Sequence, residues 1–453
     1  MAKLRKRKPK YSLYTSNNSA WRKYQRKLKQ KTAKKKALGR LPVYVLVLCI
    51  CAVLIKAGFY LLEQGPGRAG TQSPSEDTQI EKIGFSGLKQ IIDPQDFINL
   101  KEPVIHKQIK GLGYGFHTSL DPKLQKSIIA MMDRRWSRHI GIVVMEPQTG
   151  RILAMASYNK NGHEDKNPCL SAAIPAASLF KIVSAAAAIE TCGFDPDTQL
   201  SYNGRKYTLY RSQLEKKENK YTNHVTLEKA FAESVNPAFG KIGMHYLGKT
   251  ILEKYAASFG FNRKIDFSLP LETSIARISD KSYNWAEIAC GFNDTTLISP
   301  LHAAMMAAAI VNRGQMMKPF IIERVSAEDQ LVYKNKTEEF DSPIAPETAR
   351  KLRVLMNSSV VSGTASGSFR GGKSRTILEN FDVGGKTGSI NNNAEHIKFD
   401  WFAGYAEHKK TSGKIAVSIL IAHEKYIGTR APEYFRKIVY QYFQNNIKTA
   451  GSS

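Results

Sequence analysis

The stretch Pro175-Ala176-Ala177-Ser178-Leu179-Phe180-Lys181, continued by Ile-Val-Ser-Ala-Ala-Ala-Ala-Ile-Glu to Thr191, decides the fold. From Ser178 to Thr191 it is almost pure Ala, Ile, Val and Leu, which predicts a helix buried on most sides. Such a helix needs walls, and the flanking sequence supplies them. Upstream, an amphipathic helix is expected from Asp121 to Arg134. An apolar run from His139 to Glu146, the turn Pro147-Gln148-Thr149-Gly150 and a second run from Arg151 to Ser157 then read as a hairpin. Downstream, helical patterns cover 226–235, 237–247, 250–259, 299–313 and 346–361, with Ser299 as a cap and Pro300 at the first helical position. Three strand-like runs follow, Phe381–Ile390, Trp401–Ala406 and Lys414–Ala422, and then an amphipathic helix over Pro432–Asn445. The simplest closure is an α+β fold: one antiparallel sheet flanked by helices on both faces, plus a mostly helical lobe.

Within the deciding stretch, Ser178 and Lys181 are three residues apart and share a helix face, so the amine can reach the hydroxyl. A serine at neutral pH is a weak nucleophile and needs a base. A lysine desolvated by apolar neighbours and crowded by a second cation can lose its proton and serve. The helix N-terminus adds backbone N–H groups where an oxyanion would develop. The pattern S-x-x-K is weak alone, because Ser86-Gly-Leu-Lys89 matches it too. A second element is Ser234-Val235-Asn236, before Pro237; S-x-N is weaker still, since Ser16, Ser201, Ser282 and Ser389 each begin one. The third is Lys386-Thr387-Gly388-Ser389, the only K-T-G in the chain, after Gly384-Gly385. A glycine-flanked edge strand would let a ligand backbone pair with it, and Lys386 would supply a positive charge for a substrate carboxylate.

The three elements in this order are far more specific than any one of them. The chain from about His117 to Gln444 resembles the transpeptidase domain of penicillin-binding proteins, in the monofunctional, class B-like form with an N-terminal anchor. Thr118-Ser119-Leu120-Asp121, the Gly141–Ser157 hairpin, Phe231–Phe239, Ile298–Leu301 and Asp400–Tyr405 also match the family's style. The resemblance implies a serine transpeptidase/β-lactamase-like fold and a set of roles. Ser178 would be acylated by a D-Ala-D-Ala-ended stem peptide or by a β-lactam, with Lys181 as the base. Ser234 would pass a proton to the leaving amine, and Asn236 would bond the acyl side chain. Lys386 and Thr387 would hold the terminal carboxylate, next to Gly388. The backbone N–H groups of Ser178 and Ser389 would form the oxyanion hole. The implied partners are peptidoglycan stem peptides, β-lactam antibiotics, the membrane, and a polytopic glycan polymerase or division and elongation proteins. Water as acceptor would make the same fold a D,D-carboxypeptidase or endopeptidase. A β-lactamase or β-lactam sensor lacks support: there is no E-x-x-L-N, and Asn236 stands where sensors usually carry Val or Ile. A non-catalytic cell-wall scaffold would not need all three motifs intact.

The 453 residues carry a net charge of +28, and 42% are hydrophobic, which excludes a wholly disordered chain. Residues 1–40 hold sixteen Lys and Arg and no Asp or Glu, leaving about +12 on the rest, so the charge is a local tail rather than a nucleic-acid-binding surface. The tail precedes an apolar run, Leu41–Leu62, whose 22 residues would span roughly 33 Å as a helix. Lys56 can snorkel, Phe59 and Tyr60 suit an interface, and the basic flank orients the N-terminus to the cytoplasm. The expected organisation is a cytoplasmic tail (1–40), a transmembrane helix (41–62), a linker with a short membrane-proximal segment (63–112), an extracytoplasmic transpeptidase domain (113–447) and a short tail (448–453). About fifty residues between membrane and domain leave no room for a glycosyltransferase domain or for the usual pedestal of monofunctional members. No CxxC or His/Cys cluster suggests a metal, and no cofactor is implied. Cys169 and Cys192 leave a disulfide open.

Overall fold

Alternating apolar residues and turn signals set up two sheets, and helices pack on them in the order the sequence dictates. The computed structural model describes residues 82–162, 167–370, 377–411 and 413–450, with side chains to 444. The basic tail, the 41–62 span, the linker to residue 78 and His163 lie outside the described residues. Among those described, no helix is long and apolar enough to cross a membrane.

The first described helix is α1 (Phe85–Ile91), and a 3-10 turn follows at Pro94–Phe97. Strands β1 (Val104–Ile109) and β2 (Leu112–Thr118) form a hairpin whose turn residues, Lys110 and Gly111, both have positive φ, the geometry that two-residue hairpins require. Helix α2 (Pro122–Met131) is capped by Asp121, which accepts from the N–H groups of Lys123 and Leu124. The expected hairpin is β3 (Ser137–Met145) and β4 (Ile152–Asn159). After it comes a 3-10 turn, Ala177–Phe180, that runs into α3 (Lys181–Cys192), buried through Ile189. A short ladder of β5 (Gln199–Tyr202) and β6 (Asn223–Thr226) precedes α4 (Leu227–Ala232), α5 (Asn236–Ile242), a π turn, α6 (Gly248–Ser258) and α7 (Ser282–Cys290). Helix α8 (Pro300–Val311), capped by the Ser299 hydroxyl, is buried along its whole length. Then follow β7 (Ile322–Ala327), β8 (Gln330–Lys334), α9 (Pro346–Val361), β9 (Phe381–Asn392), β10 (Ile397–His408), β11 (Lys414–His423) and α10 (Ala431–Ala450).

The main sheet has the order β9-β10-β11-β3-β4 and is antiparallel throughout. One face carries α2 and α10, with Leu124, Ile128, Phe435 and Ile438 against Phe402, Val417 and Ile419. The other carries α8 and, behind it, the helical lobe around α3. Strand β9, with the K-T-G sequence, lies at the edge.

A second sheet, β1-β2-β7-β8, joins segments more than 200 residues apart in the chain. Residues 79–112 read from sequence as short helices; they also contribute β1, and Leu88 and Phe97 are buried in the larger core cluster. The expected domain start at residue 113 falls inside this hairpin. Cys169, Cys192 and Cys290 are all free thiols, so the Cys169–Cys192 pairing does not form.

Candidate active site

Ser178 sits in the 3-10 turn that heads α3, and that turn is pinned from three sides. The Ala176 N–H donates to Thr296 O (2.8 Å), and the Trp401 indole of β10 donates to Pro175 O (3.0 Å). Ala177, although not glycine, has φ +48. Its carbonyl lies against Gly291, just beyond α7, where a Cβ would come within 1.9 Å of the Ala177 oxygen.

Lys181 is fully buried. Its Nζ lies 2.9 Å from Ser178 Oγ, 2.8 Å from Asn236 Oδ1 and 2.5 Å from the carbonyl oxygen of Cys290, the last residue of α7. Burial pushes its pKa down to about 8. Ser234 occupies the tight link between α4 and α5 with φ +57. The Lys386 ammonium nitrogen, also fully buried, lies 3.1 Å from Ser234 Oγ and 3.0 Å from Thr387 O, above the ring of Phe231. Burial first, and the charge of Lys181 second, hold Lys386 well below the ordinary lysine range. An anion bound beside Lys386 would favour its charged form.

The glycines around K-T-G have a different meaning from the expected one. A Cβ at Gly384 would strike the Tyr405 ring, and one at Gly385 would meet Phe402 at 2.1 Å. Both make room for aromatic rings of β10 rather than for a ligand. Gly388 is the residue that brings the strand to the nucleophile: its Cβ position lies 3.3 Å from Ala176 O. Thr387 is held by a hydroxyl contact of 2.6 Å to Thr364, whose N–H donates to Ala232 O. Ser389 is exposed at the edge, paired across the sheet with buried Asp400. Asp400 accepts from Arg430 (2.7 and 3.0 Å) and from the Ala431 N–H, which ties β10 to the start of α10.

Ser178, Lys181, Ser234, Asn236, Lys386, Thr387 and Gly388 thus converge on one cleft, with Ser389 at its mouth. The second S-x-x-K, on α1, takes no part; its Lys89 lies over the Phe85 ring. Sequence reasoning missed three contributors, namely the Cys290 carbonyl, Gly291 and Thr364. Only Gly291 left a signal, as a glycine closing a helical run. Among the described residues no group of His, Cys, Asp and Glu could hold a metal ion.

Residues 140–440 match the family model "Penicillin binding protein transpeptidase domain". Penicillin-binding protein PbpB of Mycolicibacterium smegmatis is 27% identical over 293 residues, 59% of this chain and 42% of that protein. Peptidoglycan D,D-transpeptidase PbpA of the same organism is 26% identical over 321 residues, 62% of this chain and 61% of that protein. The chain therefore spans about half the length of these curated relatives. Among solved structures, the D,D-transpeptidase domain of a peptidoglycan glycosyltransferase from Eggerthella lenta superposes with a TM-score of 0.61 at 24% identity, covering 83% of this chain and 89% of that one. An imipenem acyl-enzyme complex of penicillin-binding protein A from M. tuberculosis gives 0.57 at 22%, covering 72% and 79%. With its motifs gathered in one cleft and two thirds of its length matched, the chain belongs to the family of penicillin-binding-protein transpeptidase domains.

Proposed function

We propose that this chain is a membrane-anchored peptidoglycan D,D-transpeptidase that cross-links stem peptides through an acyl-enzyme on Ser178 and is acylated by β-lactams at the same oxygen. The observation that carries this reading is the set of acceptors around Lys181. A neutral amine has two N–H donors and one lone pair. Asn236 Oδ1 and the Cys290 carbonyl can only accept, so they take both N–H groups. The lone pair is left for the remaining neighbour, the Ser178 hydroxyl, which donates to it. Burial supplies the neutral form near physiological pH.

The reaction follows in two halves. Lys181 takes the Ser178 proton as Oγ bonds to the penultimate D-alanine carbonyl carbon. The oxyanion rests on the N–H groups of Ser178 and Ser389. The peptide C–N bond breaks, and Ser234 Oγ relays to the departing D-alanine nitrogen a proton that the neighbouring Lys386 ammonium replaces. Lys386 and Thr387 bind the terminal carboxylate, and Asn236 keeps its amide N–H groups for the acyl chain. An amine of a second stem peptide then attacks the ester and passes its proton through Ser234 Oγ back to Lys386, and the ester C–O bond breaks as Lys181 returns the proton to Ser178 Oγ, leaving the new amide. PbpA of M. smegmatis carries the name D,D-transpeptidase, and penicillin-binding protein A forms an imipenem acyl-enzyme, which supports both halves. Residues 41–62 serve as the anchor, with the basic tail in the cytoplasm and the cleft outside. Mass spectrometry of products from polymeric peptidoglycan, with and without an added amine acceptor, tests the proposal. Cross-linked or amine-capped muropeptides are expected. Free D-alanine with trimmed tetrapeptides alone would make the enzyme a carboxypeptidase, and no product would end the catalytic reading.

A further inference from the structure

Two loops at one end of the main sheet form an exposed tip that the catalytic chemistry does not use. The link from α2 to β3 (residues 132–136) and the link from β11 to α10 (residues 424–430) are fastened together. The Glu424 N–H donates to Trp136 O (2.9 Å), and the Thr429 N–H donates to Asp133 Oδ2 (3.3 Å). The Trp136 and Tyr426 rings meet edge to face, 4.8 Å between centroids. Tyr426 and Ile427 stand 53% and 50% exposed. Large apolar side chains held in solvent by a braced pair of loops mark an interaction surface.

The acids at this tip are engaged and its bases are not. Glu424 is held by Arg138 (3.1 Å) and by Lys160, and Asp133 accepts from the Thr429 and Arg135 N–H groups. Arg134, Arg135 and Lys425 are exposed, and no carboxylate pairs with their side chains among the described residues. Arg134 lies over the Tyr158 ring and Lys425 over the Tyr426 ring instead. Arg134 also borders a depression of about 510 Å³ lined by Ile129, Ala130, Met132, Lys101 and Lys126. Aromatic and aliphatic tips set among cations suit the headgroup layer of a bilayer, where rings rest at the interface and Arg and Lys meet phosphates. Chain length favours the same occupant. Nineteen residues, 63–81, separate the expected span from the first described residue, and fully extended they reach at most about 70 Å. A domain on so short a tether meets the bilayer at high effective concentration, so a contact of a few side chains suffices.

We infer that this tip is a membrane-docking surface: Trp136, Tyr426 and Ile427 enter the headgroup layer of an anionic bilayer, and Arg134, Arg135 and Lys425 engage its phosphates. The inference rests on the anchor in the reading above and adds a second contact, made by the catalytic domain itself. Its consequence is orientation. Asn391, Lys398, His423 and Ser137 form one row across the sheet at this end, so docking turns the end of β9 just beyond Ser389 toward the bilayer.

Hydrogen exchange of the full chain in lipid nanodiscs tests this, with discs of phosphatidylcholine alone or of phosphatidylcholine and phosphatidylglycerol in equal parts. The N–H groups of Lys425, Tyr426 and Ile427 have no partner among the described residues, so they exchange fast unless the bilayer covers them. In the anionic discs they should exchange about tenfold more slowly than in phosphatidylcholine alone. One cation near an anionic surface contributes roughly fivefold to the partition, so Lys425→Glu, a change of two charges, should leave less than about twofold protection. Ile427→Ser should also reduce the protection, and the exposed segment 215–218 should exchange alike in both discs. Acylation by benzylpenicillin should be unchanged in both variants. Equal exchange at 425–427 in the two kinds of disc, or protection that survives both substitutions, overturns the docking surface. A full chain that enters neither kind of disc overturns the anchor reading instead.

Discussion

Replacing Gly291 by alanine probes the site through backbone geometry alone. The added Cβ would stand 1.9 Å from the Ala177 oxygen, 2.4 Å from its carbon and 3.0 Å from the Ser178 nitrogen. Ordinary contact begins near 3.4 Å, so one of the two segments must move by about 1.5 Å. Alanine at φ +69 also pays about 1–2 kcal/mol of left-handed strain. The segment that yields carries either the nucleophile or the Cys290 carbonyl that orients Lys181. A misplacement of about 1 Å costs on the order of 100-fold in rate, or about 2.7 kcal/mol of barrier. Stopped-flow acylation by a fluorescent penicillin should therefore slow about 100-fold in Gly291→Ala, with the variant still melting cooperatively. Gly193→Ala is the matched control: its φ is +66, and its Cβ would meet nothing within 4 Å. It carries the strain without the clash and should acylate at nearly the wild-type rate. A Gly291→Ala protein that acylates within about threefold of wild type would refute the claim that this contact positions the nucleophile.

Three further outcomes follow from the same geometry. Lys181 must be neutral to accept the Ser178 proton, and its pKa of about 8 makes acylation rise with pH, tenfold per unit well below 8, and level off above it; a flat profile from pH 6 to 9 would remove Lys181 as the base. Lys386, held low by burial and by Lys181, should take up a proton when a carboxylate ligand binds. Calorimetry in buffers of different ionisation enthalpy would detect this, and Lys386→Ala should abolish the uptake and weaken binding. Arg430→Ala should remove the half-exposed guanidinium from the buried Asp400 carboxylate, which keeps the Ala431 N–H, and cost about 1–2 kcal/mol in denaturant stability; a loss under about 0.5 kcal/mol would make the pair incidental.

The parts of the fold that were legible are those whose information is local. The deciding helix, the Gly150 turn of the β3–β4 hairpin and the Ser299–Pro300 start of α8 each carry their own signal within a few residues. The same is true of the site's side chains, because S-x-x-K, S-x-N and K-T-G specify donors and acceptors by residue type. What stayed hidden was non-local or made of backbone. The β1-β2-β7-β8 sheet pairs Thr118 with Ile322, and neither strand announces a partner two hundred residues away. The second acceptor of Lys181 is a main-chain carbonyl, which any residue at position 290 could supply. Thr364 lies in a Ser- and Gly-rich run that reads as loop, and only the fold brings it to Thr387. Gly384 and Gly385 were misread for a related reason: their Cβ space is filled by Phe402 and Tyr405 on the neighbouring strand, a fact of register and not of local sequence.

Peptide mapping of the protein after brief exposure to benzylpenicillin measures the central arrangement most directly. A single covalent penicilloyl group should appear on the peptide containing Ser178, and none on Ser178→Ala at the same dose. An adduct on Ser234 or Ser389, or labelling that survives Ser178→Ala, would place the nucleophile elsewhere and contradict the account.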